Sequence, residues 1–357
     1  MKFSLALLVV SMLTTEPALA ETYWPQGKEW ASISAEEAGF DAAKLKAAVD
    51  YGLDQDSLGV LVLHHGKILA EAYAPPWARD RRREMASAAK SMVSIVAGMA
   101  LDEGKFKSID QPVSDFITVW KGTDKEKITL RHLLSMTSGL RFRGLRVRNV
   151  AGDQFAINAA TPLDHPPGTV WEYNTPAYHL LFHVIGKAVG EPFEAYAQRK
   201  LVAPLGMENL VWLTSQGRGD AGEVTNYYSA ECTTRDMGRF GLFMLHGGQW
   251  NGSQLVSTAY FKEATVSSQQ LNPAYGFLFW LNARPGLNPA QTSAAGGRQA
   301  RLVFPGSPAD AIAAMGALSQ NIMVVPSLDL VVVRQGESPK EARFAAELLK
   351  QVVQALK

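Results

Sequence analysis

The sequence predicts an α+β fold: an antiparallel sheet built from both ends of the chain and flanked by helices, with a mostly helical lobe inserted and the active cleft between the lobes. Three observations lead there. Strand-like runs occur near the start, at residues 59–63 and 68–73, and again near the end, at residues 321–325 and 328–333. Between about residues 102 and 246 the pattern is mostly helical, with Gly and Pro as loop punctuation. A long, almost wholly apolar helix opens at Ser87, directly after the first strand pair. Strands at both ends with helices between them imply one sheet completed by the two termini.

Taken in order, residues 1–20 have the layout of a cleaved leader: Lys2, an apolar stretch from Phe3 to Leu13, then a segment ending in Ala18, Leu19 and Ala20. Ser34 and Glu37 are spaced as a capping box, and a helical stretch over residues 41–49 follows. His64, His65, Gly66 and Lys67 supply the turn of a hairpin between the first two strands, so the paired histidines read as turn residues. Arg79, Arg81, Arg82 and Arg83 form a basic cluster just before Ser87, and Arg141, Arg143, Arg146 and Arg148 form a second. Branched and aromatic residues at 275–280 predict a further strand, and residues 300–304 an added one inside a Gly, Pro, Ala and Ser-rich stretch from Asn282 to Asp310 that is placed to border a cleft. Pro326 and Ser327 turn the chain between the last two strands. Ser338 to Glu341, with Pro339 at the first helical position, reads as a second capping box opening the terminal helix.

These elements divide the chain into a leader at residues 1–20 and one domain at 21–357. Its sheet-bearing lobe takes about residues 21–105 and 250–357, and its helical lobe about 106–249. With 47% hydrophobic residues in 357, there is chain enough for a large core. After the leader no run reaches the ~18 apolar residues of a spanning helix, so no membrane span is expected. Export to the periplasm or the medium is the expectation. Cys232 is the only cysteine, so stability must come from the core and not from an internal disulfide. A formal charge of +1 gives no electrostatic reason to expect nucleic acid as a partner.

The chemistry is read from Ser87 and Lys90. They share one face of the first turn of a helix that is apolar on every side, and such a helix must be buried. Burial and the positive end of the helix dipole both disfavour a charged amine. A neutral Lys90 can take the hydroxyl proton of Ser87 and make it a nucleophile. Other constellations carry less. His179 and His183 stand four apart on a helix but lack the intervening glutamate of a zinc protease, so they read as packing or supporting residues, with no metal. No Gly-x-Ser-x-Gly elbow and no phosphate-loop or dinucleotide glycine pattern occurs, and no cofactor is called for. Trp171, Trp212, Phe277, Phe279 and Trp280 are candidates to line an apolar acyl pocket.

Several segments together resemble the serine β-lactamase and penicillin-binding-protein superfamily, most closely its class C, family VIII esterase and 6-aminohexanoate-dimer hydrolase branch. They are Ser87-Ala-Ala-Lys90-Ser91, the run from Ile128 to Leu140, Pro167-Gly-Thr-Val-Trp-Glu-Tyr173, Ala203-Pro-Leu-Gly-Met207, the run from Thr233 to Gly241, and the run from Val325 to Val333, in family order across nearly the whole mature chain. The resemblance implies a β-lactamase/transpeptidase-like fold and a covalent acyl-enzyme on Ser87 activated by Lys90. It implies Tyr173 as the second-motif tyrosine that relays a proton. By analogy it gives the backbone amides of Ser87 and Ala317 as the oxyanion hole. Asn174, Thr175, Gly316 and Trp171 fall where the family contacts substrate. Two departures matter. Tyr173-Asn174-Thr175 offers a hydroxyl where the family often has an amide. Ala314-Met315-Gly316-Ala317 stands where β-lactamases carry Lys-Thr-Gly or a histidine variant, so the cation that holds a substrate carboxylate is missing. The expected substrates are therefore small carboxylic esters or amides, with a β-lactam or D-alanyl-D-alanine peptide as the alternative and a non-catalytic penicillin- or peptide-recognising receptor as the other.

Overall fold

Sandwiched strands have no wet face, and the middle of the central sheet is built from such strands. The computed structural model describes residues 22–142, 152–215, 224, 226–287 and 300–357. The leader at 1–20, Arg143, Arg146 and Arg148 of the second basic cluster, and Gly296 and Gly297 of the Gly-rich stretch lie outside the described residues.

In chain order the strands are β1 (Ser57–His64), β2 (Lys67–Tyr73), β3 (Arg83–Glu84), β4 (Val211–Thr214), β5 (Tyr227–Cys232), β6 (Gln249–Trp250), β7 (Ser253–Gln254), β8 (Trp280–Leu281), β9 (Ile312–Gly316), β10 (Gln320–Val325) and β11 (Leu330–Gly336). The helices are α1 (Ala42–Asp54), α2 (Ala89–Asp102), α3 (Leu130–Leu134), α4 (Gln154–Ala159), α5 (Thr175–Val189), α6 (Phe193–Ala197), α7 (Thr234–Leu245), α8 (Thr258–Ala264) and α9 (Phe344–Gln354). The main sheet is antiparallel with order β2-β1-β11-β10-β9-β8, so the N-terminal hairpin and the C-terminal strands meet where β1 pairs with β11.

The pattern of burial explains the uniform apolar strands. On one face α7 lies against Leu61, Val331 and Ile322, at glycines 238 and 241, where an added Cβ would fall within 3 Å of those side chains. On the other, α1 packs on β1 at Val60, and α9 packs on α1 through Leu348. Covered twice, β10 and β11 are buried at every position. The helix α2 is buried from Ala89 to Ala100 and packs against α5, α8 and β9. No helix among the described residues is long and apolar enough to cross a membrane.

Several expectations are corrected. Ser34 and Glu37 do exchange reciprocal hydrogen bonds, but they close a turn, and Asp41 caps α1 through the amides of Ala43 and Lys44. The terminal helix begins at Phe344, not Pro339, because Glu341 is drawn to the Tyr51 hydroxyl at 3.0 Å and the Gln55 amide at 3.3 Å. The strand expected at 275–280 is a tight irregular hairpin in which Tyr275 bridges to Trp280 and only Trp280–Leu281 joins the sheet. Residues 300–304 form no strand and contribute a single bridge, Arg301 to Gly286. A second small sheet has the order β3-β5-β4, and two of its strands, β4 and β5, lie within the stretch read as helical. Of the first basic cluster, Arg82 and Arg83 are paired with Glu231 and Glu337. His65 pairs with Asp329 at 2.6 Å, while His64 ends β1 in the interior.

Gly98, in the middle of α2, is where the fold's tolerance is smallest. A Cβ there would lie 2.3 Å from the Tyr260 ring, whose hydroxyl is fixed by a 2.7 Å bond to the Ser94 carbonyl. Alanine is the better helix former, yet the overlap outweighs that preference. Gly98→Ala is expected to lower stability by about 1–3 kcal/mol in urea unfolding; an unchanged or raised midpoint would contradict the packing described.

Candidate active site

Ser87 sits in a 3-10 turn, Ala86–Ala88, that runs without a break into α2. The small sheet delivers it there. Met85 N–H bonds to the Ala230 carbonyl at 2.8 Å, and the Ser229 hydroxyl donates to the Ala86 carbonyl at 3.2 Å. These two anchors hold Ala86 at φ 49°, a left-handed conformation that costs an L-residue about 1–2 kcal/mol. The turn leaves Ser87 partly exposed, while Lys90 below it is 3% exposed.

Lys90 Nζ lies 2.9 Å from Ser87 Oγ. It also stands 4.5 Å from the centre of the Tyr178 ring and 5.3 Å from that of Tyr173. Burial lowers the Lys90 amine from its ordinary 10.5 to about 7. Burial also pushes the phenol of Tyr173 up to about 12, and its hydrogen bond with Ser87 works in the opposite direction. Tyr173 thus remains a proton donor across the range in which Lys90 changes charge. His179 is held down to about 3, first by burial and then by the nearby Lys90. Its Nδ1 lies 3.1 Å from the Gln154 amide, and His183 stacks on Phe155 at 3.5 Å. Neither histidine faces a cluster fit for a metal among the described residues.

The end of β9 closes in on the same turn. At Gly316 a Cβ would sit 2.2 Å from the Met85 carbonyl and 3.1 Å from the Ser87 nitrogen, so only glycine lets the strand come this near. Ala317 follows directly and is exposed. The structure thereby brings Ser87, Lys90, Tyr173 and Gly316 into one neighbourhood.

Asn174 is a correction. It is 2% exposed, its Oδ1 accepts from Ala177 N–H at 3.0 Å as the cap of α5, and its Nδ2 donates to the Leu140 carbonyl at 2.7 Å. Both ends of the amide are bonded to the backbone and the side chain is buried, so its place is that of a helix cap. Thr175 is 4% exposed in the first turn of α5. Trp171 is nearly buried, with its ring at 5.5 Å from Tyr275 and 6.3 Å from Trp280. Trp280 stacks on Tyr173 at 5.9 Å. Of the other aromatics expected at an acyl pocket, Trp212 packs instead on Phe182 and Phe193, and Phe277 and Phe279 are fully buried beside Tyr260 and Phe261. Tyr178, Tyr275 and Ser229 belong to the site's surroundings and were not singled out from the sequence. Tyr178 lies five residues after Tyr173, just beyond the matched segment, and nothing local marks its ring as a wall for the amine.

A family model described as Beta-lactamase matches residues 45–357. Esterase EstB of Burkholderia gladioli is 25% identical over 222 residues, covering 52% of this chain and 56% of that one. The 6-aminohexanoate-dimer hydrolase of Paenarthrobacter ureafaciens is 25% identical over 232 residues, covering 59% and 57%. The chain therefore spans a little over half the length of each of these relatives. Among solved structures, the beta-lactamase/D-alanine carboxypeptidase from Pseudomonas syringae shares the fold with a TM-score of 0.66 at 16% identity, covering 88% of this chain and 99% of its own.

The shift at Lys90 sets a pH-dependent stability. Unfolded lysine keeps its proton to about 10.5, folded Lys90 only to about 7, so between those values the unfolded state binds more protons and stability rises with pH. The cost of burying the amine is felt in full below that window and vanishes above it. Lys90→Met is therefore expected to raise stability at pH 7 by on the order of a few kcal/mol, and by less at pH 9.5, in urea unfolding at the two pH values. A gain that does not shrink on going to pH 9.5 would exclude the depressed pKa.

Proposed function

The chain belongs to the beta-lactamase family, and on that footing we propose that it is an exported serine hydrolase cleaving carboxylic esters or small amides through an acyl-enzyme on Ser87. The single observation that carries the reading is the 2.9 Å contact between the Ser87 hydroxyl and a buried amine with a pKa near 7. Such an amine is partly neutral at neutral pH and has the lone pair a base needs.

In the proposed reaction, Ser87 Oγ adds to the substrate carbonyl carbon as its proton passes to Lys90. The resulting oxyanion is met by the backbone amides of Ser87 and Ala317. Collapse of this intermediate breaks the bond to the leaving alkoxide or amine, which takes its proton from Tyr173, itself reprotonated by Lys90. Water then adds to the acyl-enzyme by the same route, the acid departs, and the Ser87 hydroxyl is restored. The site lies in the crevice between the sheet-bearing lobe, about residues 21–105 and 250–357, and the helical lobe, about 106–249. Export is supported by the leader-like residues 1–20.

Esters and small amides are favoured over penicillins and stem peptides by the residues at the end of β9. Met315, Gly316 and Ala317 bring no cation to the strand that borders Ser87, so a substrate carboxylate would be desolvated there without a partner. The names of the Burkholderia and Paenarthrobacter relatives point in the same direction. Trp171, Tyr275 and Trp280, grouped around Tyr173, offer an apolar wall for an uncharged acyl group.

With a nitrophenyl ester, kcat/KM is expected to climb with pH through about 7 as Lys90 loses its proton, and to level above it. Ser87→Ala and Lys90→Ala are expected to cost at least about 10³-fold in kcat, and Tyr173→Phe about 10²-fold. Nitrocefin run beside the ester ranks the substrate classes: faster lactam than ester turnover would favour the β-lactamase reading, and acylation without turnover of either the receptor reading. Full ester hydrolysis by Ser87→Ala would sink the proposal.

A further inference from the structure

Arg334 lies in the middle of the sheet, on β11 opposite Val60 of β1 and Asn321 of β10, and is fully buried. A guanidinium keeps its charge at neutral pH, so a buried one must find acceptors for a rigid fork of donors. Those acceptors are neutral oxygens. Nε donates to Ser57 Oγ at 2.8 Å, and Nη2 to the carbonyls of Gln55, Asp56 and Glu337 at 3.0, 3.1 and 2.9 Å. Nη1 donates to the carbonyls of Leu318 and Ser319, at 2.5 and 3.4 Å. The fold makes room for the group: at Gly336 a Cβ would lie 2.4 Å from the guanidinium.

The partners of Nη1 are the informative ones. Leu318 and Ser319 both have positive φ, 59° and 58°. For residues other than glycine that conformation costs about 1–2 kcal/mol each. The Leu318 side chain is 45% exposed, so its own packing does little to hold it there. The turn is kept by its carbonyls: Ala317 O accepts from Gln320 N–H, Leu318 O and Ser319 O accept from Arg334, and Gln320 adds a longer bond to Leu318 O at 3.4 Å. Immediately before the turn stand Gly316, pressed against the Ser87 nitrogen, and Ala317. A rotation at Leu318 would turn the Ala317–Leu318 peptide, which is joined through Ala317 to the peptide that carries the Ala317 N–H.

We infer that Arg334 is a positioning residue for the hydrolytic site: by gripping the Leu318 and Ser319 carbonyls it holds the turn in its left-handed form and thereby aims the Ala317 N–H at the substrate oxygen over Ser87. This rests on the acyl-enzyme reading above. It gives a buried cation that touches no substrate a role in the reaction, through a backbone donor.

The test is steady-state hydrolysis of a nitrophenyl ester by Arg334→Lys, which keeps the charge but not the fork. The expected result is a fall in kcat of about 10–100-fold with KM within about twofold, the mark of weakened oxyanion stabilisation. Glycine adopts positive φ freely, so the double variant Arg334→Lys/Leu318→Gly is expected to recover kcat about tenfold over Arg334→Lys alone. A merely structural role, tying β11 to Ser57 and Gln55, would not be rescued from position 318. Ser319→Pro provides a second route on a half-exposed turn, since proline fixes φ near −65°, and is expected to lower kcat by a similar ~10–100-fold with no matching fall in melting temperature. Wild-type kcat in a folded Arg334→Lys, a loss that Leu318→Gly leaves untouched, or full activity in Ser319→Pro would each overturn the inference. If Arg334→Lys does not fold, Ser319→Pro decides by itself. Turnover that survives Ser87→Ala would instead remove the hydrolase reading, whatever Arg334 does.

Discussion

An amine buried in the interior beside a hydroxyl and two aromatic rings, with no carboxylate among its contacts in the described residues, is the constraint around which this molecule is arranged. Lys90 is 3% exposed, hydrogen-bonded to Ser87, and walled by Tyr173 and Tyr178. Burial alone accounts for its lowered pKa. Water is kept out by the elements that encase α2: α5 with Tyr178, α8 with Tyr260, and strand β9 of the main sheet. The arrangement costs stability at neutral pH, since an unfolded lysine would keep its proton and its hydration. In the proposed reaction that cost is what makes the amine a base.

The backbone around this amine is held in conformations that L-residues avoid, and each is fixed by a specific neighbour. Ala86 is anchored by Ser229 and, through Met85, by Ala230, so the small sheet exists at the site to shape the turn carrying Ser87. Leu318 and Ser319 are held by Arg334. Gly316 stands between the two turns and allows a strand to approach a helix start more closely than any side chain would permit. Strain at functional sites survives only where the surroundings over-determine it, and these anchors supply that. They come from β5 and β11, elements far from Ser87 in sequence.

What the sequence made legible follows from periodicity and local chemistry. The apolar run after Ser87 announced a buried helix, and the spacing of Ser87 and Lys90 announced their contact, because three residues make nearly one turn. Strands at both ends announced one antiparallel sheet. The expectations that failed were those in which a local signal had a stronger distant competitor. Glu341 has the spacing of a capping residue, but Tyr51 and Gln55 take its carboxylate and amide. Asn174 follows directly on Tyr173 in sequence, but its side chain bonds to the start of α5 and to the Leu140 carbonyl. Phe277 and Phe279 look like pocket aromatics in a sequence, and only their full burial beside Tyr260 and Phe261 assigns them to the core.

By itself, then, the sequence determined the fold class, the buried helix and the serine–lysine pair, all of which depend on patterns within a few turns or on the order of elements. The tertiary structure decided which aromatics face the amine, that β5 and Arg334 brace the two strained turns, and that Asn174 caps a helix. The reason is physical: such roles are set by carbonyl, hydroxyl and ring positions brought together from segments up to 279 residues apart, and no local pattern encodes the partner at the other end of such a contact.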